Sequence, residues 1–133
     1  MNPPVPPQEL QELADRLRSD LESAGLLQAP SPALPSAHDE TQGGPVVYID
    51  NGQVHVDWLC HARLNDATLA LIEAGRDQDT TVHRYETVRI AMHTALGCIL
   101  HGFGYRLSAP HFGYGYTIQP ARDDVPVAGQ QLV

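Results

Sequence analysis

The sequence predicts an α+β class domain: an antiparallel sheet built from two hairpins, helices packed on one face of it, and an amphipathic N-terminal helix held by a tether. Three observations predict it. The stretch 46–59, VVYIDNGQVHVDWL, alternates apolar and polar residues on both sides of Asn51-Gly52, a dipeptide that accepts the positive φ of a type I′ turn. Residues 80–101 form one long run without Pro, closed by Gly102 and Gly104. Residues 105–118 return to β-forming residues around Ala109-Pro110-His111.

Each element follows in order. Residues 1–7 are Pro-rich and extended. Residues 8–24 place Leu10, Leu13, Ala14, Leu17, Leu21 and Ala24 at helical spacing, and Gly25 is a natural stop. Residues 28–45, rich in Pro, Ser and Gly, read as a linker. A leucine stripe on a tether must be buried, either against its own domain or against another chain. With Asn51-Gly52 as the turn, Asp50 faces Gln53, Ile49 faces Val54, Tyr48 faces His55, Val47 faces Val56 and Val46 faces Asp57. Val47, Ile49, Val54, Val56 and Trp58 then share the core face, and Tyr48, His55 and Asp57 share the other. Asn65 or Asp66 caps a short helix to about Ala74, with Leu69 and Ile72 as its buried pair. Thr80 or Thr81 caps the long helix. In the last strand Phe112, Tyr114, Tyr116 and Ile118 share one face, and the alternating Gly113 and Gly115 signal a close backbone approach. The organisation is an arm (1–27), a linker (28–45), a core domain (46–119) and a C-terminal tail (120–133).

The chain is acidic, with a formal charge of −8 over 133 residues. That argues against generic attraction to DNA or an anionic membrane surface. The charge is uneven: residues 1–81 hold thirteen acids against four arginines, whereas residues 82–122 hold Glu86 against Arg84, Arg89, Arg106 and Arg122. All eight basic side chains are arginine, a pattern of high-GC codon bias that excludes lysine chemistry. Two cysteines are too few for a disulfide scaffold. No N-terminal apolar run reads as a signal peptide, and none reaches the roughly 18 residues of a membrane span. The expected location is cytoplasmic, with reduced thiols.

On the long helix, Tyr85, Val88, Met92, Ala95, Leu96, Ile99 and Phe103 form the stripe expected to pack on the sheet. A second surface of Thr87, Ile90, Ala91, Thr94, Gly97 and Cys98 lies opposite. The N-terminal helix or the short helix is the expected cover for it, with a two-fold dimer as the alternative.

Four groups of residues offer chemistry. Cys60 and His61, with Cys98 and His101 at i and i+3 on the long helix, supply a Cys2His2 complement for zinc. Adjacent strand residues point apart, however, so no metal and no cofactor is assigned. Tyr48, His55 and Asp57, with His93 near them, could bind a small ligand, but no nucleophile or catalytic motif accompanies them. Gly113-Tyr114-Gly115-Tyr116 resembles the centre of the RNP1 motif of RRM domains, which implies base stacking on a strand. That likeness spans four residues, with Phe112 where the motif carries a basic residue, and it would recruit Arg106, His111, Tyr114, Tyr116 and Arg122. The last group is helical surface: Leu10, Leu13, Leu17 and Leu21 on the arm, and Ile90, Thr94 and Gly97 on the long helix.

The function expected from the sequence is therefore a small acidic protein-interaction or regulatory module without catalytic activity. It would act through helix-mediated homodimerisation or a complex with another protein. Ligand binding or catalysis on the Tyr48/His55/Asp57 face is the alternative, and nucleic-acid binding the lesser one.

Overall fold

Asn51 and Gly52 take φ values of 53° and 73°, the left-handed pair of a type I′ turn. They join β1 (Gly44–Asp50) to β2 (Gln53–Leu59) in the register read from the sequence, from Asp50 opposite Gln53 to Val46 opposite Asp57. The computed structural model describes residues 5–27, 42–109 and 115–119. Around the hairpin stand α1 (Pro7–Ser23), α2 (Ala62–Glu73), α3 (Thr80–Gly102), β3 (Arg106–Ser108) and β4 (Tyr116–Gln119).

The four strands form one antiparallel sheet in the order β1-β2-β4-β3. The second hairpin therefore joins the β2 edge of the first, with Val54 opposite Ile118 and Val56 opposite Tyr116. Gly115 explains how the strands come so close. Its φ is +95°, and a Cβ there would lie 2.6 Å from the Val56 carbonyl oxygen, so this is the close approach that the glycine pattern predicts. Phe112, Gly113 and Tyr114 lie outside the described residues.

Alternation puts Val47, Val54, Val56 and Ile118 on one face, where α1 and α3 cover them in a single core. Leu17, Leu21, Leu96 and Leu100 are fully buried there. Burial of such a side chain stabilises by about 1.5–3 kcal/mol, so α1 belongs to the core and takes the first of the two fates open to a leucine stripe. Ile49 departs from the expected pattern. It shares the core face but is 40 % exposed, because it sits at the turn end of an edge strand.

Helix ends follow local chemistry. Pro7 opens α1, and Gly25 at φ +91° closes it, with the Leu26 N–H donating to the Leu21 carbonyl at 3.0 Å. The cap of α3 is Asp79, one residue before the threonines expected to serve; its carboxylate accepts from the Thr81 N–H at 2.9 Å. That bond holds the Asp79 carboxyl below the usual range.

Two expectations are corrected. α2 begins at Ala62 rather than at Asn65, because the His61 ring nitrogen Nδ1 accepts from the Arg63 N–H at 2.9 Å and caps the helix. Thr68 is the buried residue of α2, whereas Leu69 and Ile72, expected as its buried pair, are 56 % and 49 % exposed. On α3 the inner stripe is Val82, Leu96 and Leu100, rotated from the predicted one, so Val88 and Phe103 are exposed. The rotation follows from Tyr116, whose hydroxyl reaches the helix backbone and sets which side meets the sheet.

Candidate functional site

The α2–α3 pair carries most of the exposed large apolar side chains among the described residues, with Ile72 and Ile90 at a groove between the helices and Val88 on the other flank of α3. Leu69, Ile72, Val88, Ile90 and Phe103 are all exposed, Ile90 most of them at 66 %. Only Leu27 and Ile49 join them elsewhere among the described large hydrophobic residues. Between the end of α2 and the first half of α3 runs a groove of about 710 Å³, lined by Ile72, Val82, Tyr85, Glu86, Arg89, Ile90 and His93. Neither α1 nor α2 covers the second surface of α3 as expected: Thr87, Ile90, Ala91, Thr94 and Cys98 remain exposed. The cause is that the leucines of α1 are taken by the sheet.

Arg89 and His93 set the polar floor of the groove. The Arg89 guanidinium contacts Asp57 Oδ1 at 3.4 Å, the Trp58 carbonyl at 3.4 Å and the Tyr85 hydroxyl at 3.5 Å. It thereby fastens α3 to the end of β2. His93 lies flat on Tyr116, with ring centroids 4.3 Å apart and 7° between planes. The Tyr116 hydroxyl donates to the His93 carbonyl at 2.9 Å. Gly97 completes this contact, since a Cβ there would lie 2.8 Å from Tyr116 Cζ. Gly97 therefore makes room for an intrachain aromatic ring. Its assignment to a contact between molecules is corrected on that ground.

The arm residues receive the same correction. Leu10 and Leu13 are 6 % exposed, and Leu17 and Leu21 are fully covered, so they pack this chain's own core. Of the predicted contact residues, Ile90 and Thr94 stay at the surface.

The expected ligand-binding set does not assemble. Tyr48 and His55 do meet across the strands, stacked at 5.1 Å, on the face away from α1 and α3. His93, however, stands on the helix side of the sheet. Both His55 ring nitrogens are engaged: Nε2 meets the Asp50 carbonyl at 3.2 Å and Nδ1 meets the Thr117 hydroxyl at 3.1 Å. A carbonyl only accepts, so Nε2 carries the proton of the neutral ring and Nδ1 accepts from Thr117. Asp57 accepts from the Trp58 N–H at 2.7 Å and pairs with Arg89. These side chains hold the sheet together and leave no imidazole–carboxylate pair to activate a substrate.

The nucleic-acid set divides as well. Arg106 pairs with Gln119 and Tyr116 lies two residues before Ile118, so the strand pleat puts them on opposite faces. His111, Tyr114 and Arg122 lie outside the described residues. The zinc candidates do not converge: no group of three or more His, Cys, Asp or Glu side chains gathers among the described residues. His61 Nδ1 serves as the α2 cap, Cys60 is buried, and Cys98 and His101 are exposed on α3. Burial pushes the Cys60 thiol up, against the lowering effect of Arg89, which opposes thiolate chemistry there.

No helix among the described residues is long and apolar enough to cross a membrane. No family model, curated protein or solved structure matches this chain.

Proposed function

We propose that this chain is a small cytoplasmic interaction module without catalytic activity, and that it homodimerises through the outer face of α2 and α3. The observation that carries the reading is the pair of exposed residues Ile72 and Ile90 lining the groove between α2 and α3, with exposed Leu69 one turn before Ile72. Clustered apolar surface of this kind marks interaction sites, whereas single exposed residues do not.

Shape supports a second copy as the partner. The face also pairs a projecting Ile90 with an adjoining groove. A two-fold axis would seat each copy's Ile90 beside the other's Ile72, as an isologous interface requires.

Sedimentation velocity at increasing concentration tests this. The wild type should run as twice 14.5 kDa, and Ile90→Glu should return it to the monomer mass with an unchanged far-UV spectrum. A wild type that stays monomeric at all concentrations, or an Ile90→Glu variant that stays dimeric, refutes the reading.

A further inference from the structure

The groove between α2 and α3 is built mainly by one strip of α3. Val82, Glu86, Ile90 and His93 recur there at three- and four-residue spacing, so the strip runs about 16 Å at 1.5 Å per residue. Ile72 of α2 faces it across the groove. At about 710 Å³ the space falls within the roughly 300–1,000 Å³ of small-molecule sites, which are likewise mostly apolar with a few polar groups. Val82 is buried and the exposed Ile72 and Ile90 supply aliphatic surface, to which Tyr85 and His93 add their rings.

The two full charges in the groove differ in what already holds them. The Arg89 guanidinium pairs with Asp57 at 3.4 Å and is 18 % exposed at its side chain. It also contacts the Trp58 carbonyl and the Tyr85 hydroxyl. Glu86, one turn earlier, is exposed and enters none of the ion pairs among the described residues. With Arg89 balanced by Asp57, the groove keeps the negative charge of Glu86. The formal −8 of the whole chain acts in the same direction.

We propose that this groove binds a hydrophobic cation, a small molecule with an apolar, ring-containing body and one ammonium group. The body lies along Ile72, Val82 and Ile90, and the ammonium meets the Glu86 carboxylate at the solvent edge. There it avoids the cost of burying a charge away from water. Ile72 and Ile90 are also the contacts of the proposed dimer, so the ligand and a second copy exclude one another. The exclusion rests on that dimer; the binding does not.

Two probes with one apolar body and opposite charges test the site at neutral pH: phenylbutylamine and phenylbutyrate, each titrated into the whole chain and followed by amide-resolved NMR. The amine should shift the Ile72, Val82, Glu86 and Ile90 amides. It should bind about fivefold more tightly than the acid, the scale of an exposed ion pair, and salt should narrow the gap. Glu86→Gln, a change at an exposed position that leaves the apolar walls intact, should bring the two affinities together. The proposal is overturned if the amine leaves those amides in place, if the acid binds as tightly, or if Glu86→Gln leaves the gap unchanged. Saturating amine should also bring the dimer to 14.5 kDa in sedimentation velocity. A dimer that keeps its mass while those amides shift overturns the exclusion. A chain already monomeric without ligand refutes the dimer alone, and the amide shifts then decide the site.

Discussion

Leu17→Ala is the perturbation that best separates a core helix from a tethered arm. Leu17 is fully buried at the middle of α1, in one cluster with Val47, Val54, Val56, Leu96 and Leu100. The change removes three carbons. At ~0.8 kcal/mol each, their transfer alone is worth ~2.4 kcal/mol. A partly relaxed cavity of ~40 Å³, at ~24 cal/mol per Å³, adds ~1 kcal/mol. Alanine's better helix propensity returns only a few tenths. The expected loss is thus ~3 kcal/mol, or roughly 10 °C in melting temperature for a chain of this size. Urea unfolding followed by far-UV circular dichroism and by Trp58 fluorescence measures it. Trp58 packs against the same cluster from β2, so it reports the sheet while circular dichroism weights the helices. Both probes should shift together. A loss below ~1 kcal/mol, or an early helical phase that leaves the Trp58 transition in place, would show that α1 is not integral to the core.

Two further predictions concern polar and steric contacts between elements. Gly97→Ala forces Tyr116 away from His93 and should cost ~1–3 kcal/mol, with recovery of part of that loss when Tyr116 is also changed to Leu; a neutral Gly97→Ala in thermal melts refutes the role given to this glycine. The Tyr105 hydroxyl donates to Asp20 Oδ2 at 2.5 Å, and burial together with that carboxylate holds the phenol well above its usual range. As pH rises past ~10 the unfolded chain loses its phenolic proton first, so it binds fewer protons than the native state and stability falls. Tyr105→Phe should cost ~1–2 kcal/mol at neutral pH and flatten that alkaline fall in urea midpoints. Some slope should remain from Tyr48 and Tyr116, which burial also raises.

The parts of the fold legible in the sequence are those fixed by short-range rules. Asn51-Gly52 specified a turn, and the turn specified the whole β1–β2 register, because a period of two leaves no freedom once one pair is known. Gly25 marked a helix stop through its left-handed conformation, and the α1 leucines marked a buried face. The rotation of α3 and the start of α2 were not legible for the opposite reason. α3 is apolar around most of its circumference, so periodicity could not choose the inner stripe. A tertiary contact chose it, the Tyr116 hydroxyl on the His93 carbonyl with Gly97 making room. α2 was displaced by His61, a residue rarely read as a cap, whose ring nitrogen serves as one.

The same division explains what happened to the candidate sites. Spacing brought Tyr48 and His55 together correctly, since they are direct cross-strand neighbours. It could not reveal Thr117, which comes from β4 and engages the ring nitrogen that catalysis would need. Nor could it place His93 on the far side of the sheet, since the packing of α3 is non-local. The groove escaped notice because it depends on an apolar α2 that buries Thr68 instead of Leu69 and Ile72. Of the 23 residues of α3, only Val82, Leu96 and Leu100 are fully covered. The Asp79 cap and the Tyr105–Leu100 backbone bond that closes the helix secure its two ends. Arg89 and Tyr116 fasten its length to the sheet. With the helix held this way, Val88 and Ile90 are not required by the chain's own core. Apolar side chains that the fold does not need for itself are the reason to look for association on α3, whereas the equally apolar leucines of α1 are already spent.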